Sequence, residues 1–266
     1  MRLRGIAVGL AVVSVAVSAW AQTPKPTVEQ FLSGVRAKYA TEPNLAAEGF
    51  TCEVRPEWRE FPEAKYLPAG SPLLERLKRT RVRLTVAKGG TPLIEVNKAK
   101  KPELDVKDLT TADALAGSVR QMVQGFYETW LAFGINGPSA PADASIQTVK
   151  VKPAGQETVI LYKRDEATNW MSFDEESRML HFTQLLPHGD AVQESPQFEA
   201  SSKGLLYTGT NFEIHSGSAE GKPDTVGSYR VQYTKVDRLR MPKMLEVEVN
   251  GTLDVHFEFS DCQVGN

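Results

Sequence analysis

The chain has 266 residues, 41% of them apolar, with 31 basic residues against 33 acidic ones and a formal charge of −2. So large an apolar share supports a packed core and excludes a disordered chain. A balance so near neutral argues against nucleic acid as the main partner.

Met1 to Ala21 reads as a cleavable export signal. Arg2 and Arg4 make a positive start, and Gly5 to Val17 is apolar but too short to span a bilayer. Ala19-Trp20-Ala21 places small residues at the two positions a signal peptidase reads, so cleavage is expected before Gln22. The first cysteine is Cys52, so no lipid-attachment cysteine lies near that point, and no later run is apolar enough for a transmembrane anchor. The mature chain is expected in the periplasm or outside the cell, with residues 22–266 forming a single β-rich domain.

Cysteine use agrees with export. Cys52 and Cys262 are the only two, and in an oxidising compartment they are expected to pair and tie the two ends of the domain together. The alternative is two separate buried thiols. With no Cys-x-x-Cys, a redox role is not expected.

Thr27 to Tyr39 is predicted helical, with Thr27 and Gln30 as a capping box and Val28, Phe31, Leu32, Val35 and Tyr39 as an inward stripe. Gly49 to Val54 reads as a strand carrying Cys52. Arg55 to Pro72 has no clear period and reads as an ordered loop or irregular edge. Val82, Leu84 and Val86 alternate with polar residues, Gly89-Gly90 turns the chain, and Leu93 to Val96 returns. Lys98 to Asp108 reads as a charged linker.

Thr110 to Phe133 is predicted as the longest helix, capped by Thr110 and Asp113 and stopped by Gly134 and Asn136-Gly137-Pro138. Its stripe of Ala112, Leu115, Val119, Met122, Val123, Phe126, Trp130 and Phe133 must cover a sheet. The plain interpretation is core packing. The sharper one is a lid over a cavity, with Phe126 and Trp130 near its contents.

After a 137–145 linker, strands are predicted at 146–151, 158–163, 169–173 and 178–186. The acidic turns Asp165-Glu166 and Asp174-Glu175-Glu176 lack calcium-loop spacing and read as solvated. Pro187 to Lys203 reads as a polar loop, Leu205 to His215 as a strand, and Ser216 to Gly227 as loose chain. Tyr229, Val231 and Tyr233 then alternate with polar residues, and Val236 to Met241 leads into a final hairpin. There Leu245, Val247 and Val249, and after the turn Leu253, Val255, Phe257 and Phe259, share one face. A two-residue Asn250-Gly251 loop would set Val247 opposite Asp254, so a three-residue loop Val249-Asn250-Gly251 is expected, pairing Val247 with Leu253.

Chemistry is sparse. The four histidines, His181, His188, His215 and His256, show no metal-ligand spacing, and His256 falls on the wet face of its strand. No nucleophile elbow, phosphate loop or dinucleotide fingerprint is present, so no enzyme, cofactor or metal is expected.

Thr27-Val28-Glu29-Gln30-Phe31-Leu32 near the start, with Tyr233-Thr234-Lys235-Val236-Asp237 and Leu239-Arg240-Met241-Pro242 near the end, resembles the lipoprotein-carrier (LolA-like) group of exported bacterial proteins. The resemblance departs at Arg238, where many such sequences carry glycine, and at the 55–77 segment. It implies an α+β fold: a curved antiparallel sheet, an incomplete β-barrel, packed on a long helix and an N-terminal helix. It also implies an apolar cavity for acyl chains. The expected function is non-catalytic carriage of a lipid or a lipoprotein's acyl chain, with an envelope protein as a further partner. The expected ligand site comprises Phe126, Trp130 and Phe133 on the helix. Across from them stand Tyr229, Val231, Tyr233, Leu245, Val247, Val255 and Phe257 on the sheet. The alternative is a structural or protein-interaction module whose core is filled.

Overall fold

The computed structural model describes residues 26–151, 155–164, 166–217 and 222–265. The expected export signal and Asp165 of the first acidic turn lie outside the described residues.

Helix α1 (Val28–Arg36) carries the expected capping box. The Thr27 N–H donates to Gln30 Oε1 at 2.9 Å, and the Gln30 N–H donates to Thr27 Oγ1 at 3.2 Å. It ends earlier than predicted because residues 38–40 have other partners: the Leu205 N–H donates to the Lys38 carbonyl and the Ala40 N–H to the Leu205 carbonyl, both at 2.8 Å. Proline at the first helical position starts an unforeseen α2 (Pro43–Glu48). The 55–72 segment is not a loop throughout. It holds a 3₁₀ turn (Trp58–Glu60), α3 (Pro62–Lys65) and the start of α4 (Pro72–Lys78), which bury Trp58, Phe61, Ala64, Leu73, Leu74 and Leu77. Helical turns this short leave too few apolar positions for a period to register.

The strands are β1 (Phe50–Pro56), β2 (Arg81–Val86) and β3 (Pro92–Asn97), then, after the long helix, β4 (Ser145–Val151), β5 (Gly155–Arg164), β6 (Ala167–Phe173), β7 (Met179–Leu185), β8 (Ala191–Ser201), β9 (Gly204–His215), β10 (Thr225–Val236), β11 (Leu239–Val249) and β12 (Leu253–Val264). They form a 12-stranded sheet in the order β3-β2-β1-β12-β11-β10-β9-β8-β7-β6-β5-β4, every pair antiparallel. Among the described strands, β1 with β12 is the one pairing of strands that are not neighbours in sequence. The sheet is therefore two meanders joined through the ends of the chain, and it does not close, because β3 and β4 remain as edges.

The long helix α5 (Val106–Trp130) starts four residues before the predicted point and continues through a π turn (Leu131–Ile135). Asp105 caps it, accepting from the Asp108 N–H at 2.8 Å. Thr110 Oγ1 instead donates back to the Val106 carbonyl, and Asp113 pairs with Lys98. The charged linker thus ends in the cap itself, since Asp competes with Thr for that role.

Two strand predictions need correction. The 187–203 stretch contains β8, which the sequence hides because an inward Glu194 interrupts its apolar alternation and because proline, here Pro196, is rare inside a strand. The final turn is Asn250-Gly251-Thr252, so Val249 pairs with Leu253 and Val247 with Val255. Asn250 and Gly251 hold φ of 53° and 64°. The register gains one apolar pair over the expected one, and Asn250 is fixed from outside the hairpin: its N–H donates to the Val226 carbonyl at 2.7 Å and its Oδ1 accepts from the Val226 N–H at 2.9 Å.

One face of the sheet is covered by α5, and a contiguous core runs between them through Phe50, Val123, Phe126, Trp130, Leu245, Val247, Val255 and Phe257. No helix among the described residues is long and apolar enough to cross a membrane.

Candidate ligand cavity at the end of the long helix

The side chains expected to face a ligand all meet on the covered face of the sheet. Phe126 and Trp130 stack with ring centroids 5.9 Å apart. Phe126 packs on Tyr229 at 6.4 Å, and Trp130 on Tyr233 at 6.5 Å. Leu245, Val247, Val255 and Phe257 are at most 1% exposed, Val231 is buried, and Tyr229 and Tyr233 are half-buried. Gly125 lets the helix come close: a Cβ there would lie 2.6 Å from the Tyr229 hydroxyl. In the middle of the interface these groups fill one another's space.

The space opens where α5 ends. There a cavity of about 390 Å³ lies between the π turn, the 136–139 loop and strands β5 to β8. Of the expected site residues, Phe133 reaches it. Leu131, Phe133, Met171 and Phe182 make its apolar wall; Glu128, Arg164, Gln184 and Glu194 supply the polar side.

Each wall residue is there for a local reason. The π turn adds a residue to the last helical turn and swings Phe133 toward the sheet, where its ring lies 6.0 Å from Tyr207 and 6.5 Å from Phe182. Met171, Phe182 and Glu194 are successive cross-strand partners on β6, β7 and β8, so the sheet pleat brings all three to one face. One row over, Gln184 donates to Asn169 Oδ1 at 3.1 Å, and the Asn169 amide donates to the Ala167 carbonyl at 3.2 Å. This chain fixes the polar end of the cavity.

Two carboxylates share that end. Burial, with the negative charge of Glu128 added, pushes the Glu194 carboxyl up to about 7. Near neutral pH it is therefore divided between acid and carboxylate and can donate or accept. Behind it a hydroxyl relay closes the site toward the core. The Tyr207 hydroxyl donates to Thr210 Oγ1 at 3.2 Å and lies 3.2 Å from Thr129 Oγ1, which donates to the Phe126 carbonyl at 2.9 Å. Burial holds the Tyr207 hydroxyl well above its ordinary range, so it stays protonated as a donor.

The sequence reading missed Glu194 because its strand was read as loop. The signal was present in Val192, Pro196 and Phe198, which alternate with Gln193, Ser195 and Gln197 around the inward Glu194. The cavity combines an apolar wall with a titrating acid. No protein-family model matches the chain, and no curated protein matches it.

Proposed function

We propose that this is an exported, non-catalytic binding protein that holds a lipid, or the acyl chain of a lipoprotein, in the cavity at the end of α5. The observation that carries this reading is the cavity's two-sided lining, with Leu131, Phe133, Met171 and Phe182 opposite Glu128, Arg164, Gln184 and Glu194. Ligand pockets span about 300–1,000 Å³, and this one lies at the small end of that range. An acyl segment laid on the apolar wall gains about 0.8 kcal/mol per buried methylene. A polar head group then meets Arg164, Gln184 and the Glu194 acid.

An open antiparallel sheet with a long helix across one face suits the incomplete barrel implied by the resemblance to lipoprotein carriers. The Cys52–Cys262 disulfide suits a periplasmic or secreted location. The filled middle of the helix–sheet interface favours a second reading: a structural or protein-interaction module without a small ligand.

Titration with a fluorescent fatty acid separates the two. The wild-type chain is expected to bind it, and Ala132→Trp, which adds a ring at an exposed position of the cavity wall, is expected to weaken binding at least tenfold with little change in melting temperature. A wild-type chain that binds no such probe would leave the module reading standing.

A further inference from the structure

We propose that Glu246, Asp254 and His256, on the outer face of the β11–β12 hairpin, bind a divalent transition-metal ion of the zinc type. This site lies on the opposite face of the sheet from the cavity and does not depend on the carrier reading. One ligand atom from each of the three residues lies within 4.8 Å of the others. The register makes the cluster: Glu246 stands directly opposite His256, and Asp254 precedes His256 by two positions on the same face. A tetrahedral zinc ion with bonds of about 2.0–2.2 Å spaces its ligand atoms by roughly 3.4 Å, which side-chain rotation alone can reach from here.

The histidine is held for this task from outside the hairpin. Glu60, in the 3₁₀ turn after β1, places both carboxylate oxygens 3.0 Å from His256 Nδ1. The same carboxylate accepts the His256 backbone N–H at 2.7 Å. A proton on Nδ1 donated to Glu60 leaves the lone pair on Nε2, which is the tautomer a metal requires. Such a carboxylate–histidine pair, joining two distant segments, orients the ring before any ion arrives.

Glu246 is also positioned. Its Oε1 accepts from Arg230 at 2.9 Å, which leaves Oε2 for a second partner. Arg230 is thus a cation that competes with a metal for the free carboxylate. The donor set selects the class of ion. Calcium takes six to eight oxygens, whereas an imidazole nitrogen with two carboxylates suits zinc, cobalt or another late transition metal. Three protein ligands leave a coordination position free. A cleft of about 510 Å³ includes both Glu246 and His256 in its wall, so that position opens onto space for water or a small ligand.

The test is calorimetric titration of the tag-free mature chain with Zn²⁺ near pH 7.5, with Co²⁺ absorption as a second readout. One equivalent should bind, with cobalt bands that report nitrogen and oxygen ligands. Asp254→Asn, at an exposed position, and His256→Asn should each weaken binding at least tenfold while circular dichroism stays unchanged. Glu60→Gln should weaken it by about 10–100-fold through loss of ring orientation. Arg230→Gln should tighten it, because the competing cation is gone. No zinc binding by the wild-type chain, or equal binding by wild type and the folded Asp254→Asn variant, would overturn the proposal.

Discussion

Cys52 of β1 and Cys262 of β12 form a disulfide across 210 residues of sequence, with their Cα atoms 4.1 Å apart. The register explains how the pair meets. Thr51 lies opposite Gln263 and Glu53 opposite Ser260, so Cys52 alone faces Asp261 and Cys262. This is a β-bulge, and Asp261 takes up the extra residue with a φ of 51°. The bond thus staples the one seam at which the two meanders join.

Replacing both cysteines by serine should therefore lower stability without changing the fold. Chain-entropy reasoning sets an upper figure of about 5 kcal/mol for so long a loop, and about 2–4 kcal/mol is the usual yield. Urea unfolding of the oxidised chain and the double variant measures the difference. Equal midpoints would mean that residual structure already restrains the unfolded chain.

Trp130→Ala should cost roughly 3–5 kcal/mol, because Trp130 is 2% exposed and packed on Phe50, Phe126 and Tyr233. A loss below about 1 kcal/mol in denaturant unfolding would show that the middle of the interface collapses around the gap instead of depending on the ring.

Glu194 should make stability depend on pH with an inverted sign. Its folded-state carboxyl, at about 7, lies above the ordinary value of 4.5. The stabilisation is thus complete below about 4.5 and is lost as pH rises through about 7. Between those values the native state keeps a proton that the unfolded chain releases. Partial exposure limits the effect to about 1–2 kcal/mol. Glu194→Gln should flatten this part of the melting-temperature profile; an unaltered slope would assign it to another group.

Gly204→Ala should destabilise by roughly 1–3 kcal/mol. Gly204 holds a φ of 117°, and a Cβ there would overlap the Lys38 carbonyl oxygen. The same change at Gly251, where nothing lies within 4 Å, meets only the left-handed backbone and should cost less. Paired thermal melts compare them, and equal losses would refute the role of the Lys38 contact.

The final hairpin shows how far local pattern reaches. Alternation placed Leu245, Val247, Val255 and Phe257 on one face, since period two is a property of the backbone, but the register moved because Asn250 bonds to Val226 on a neighbouring strand. In α5 the stripe from Ala112 to Phe133 was legible and the cap was not, because several acids and threonines compete for that position. β8 escaped notice because Glu194 points inward, where a carboxylate is tolerated only at the edge of a cavity.

By itself, then, the sequence determined the antiparallel class of the sheet, the amphipathic helix that covers it and the pairing of its two cysteines. All three follow from periodicity or from a count of two. Only the tertiary structure decided where the interface is full and where it is hollow, and that Glu60 meets His256 across 196 residues of sequence. These depend on shape and on contacts between distant segments, and neither leaves a period in the order of residues.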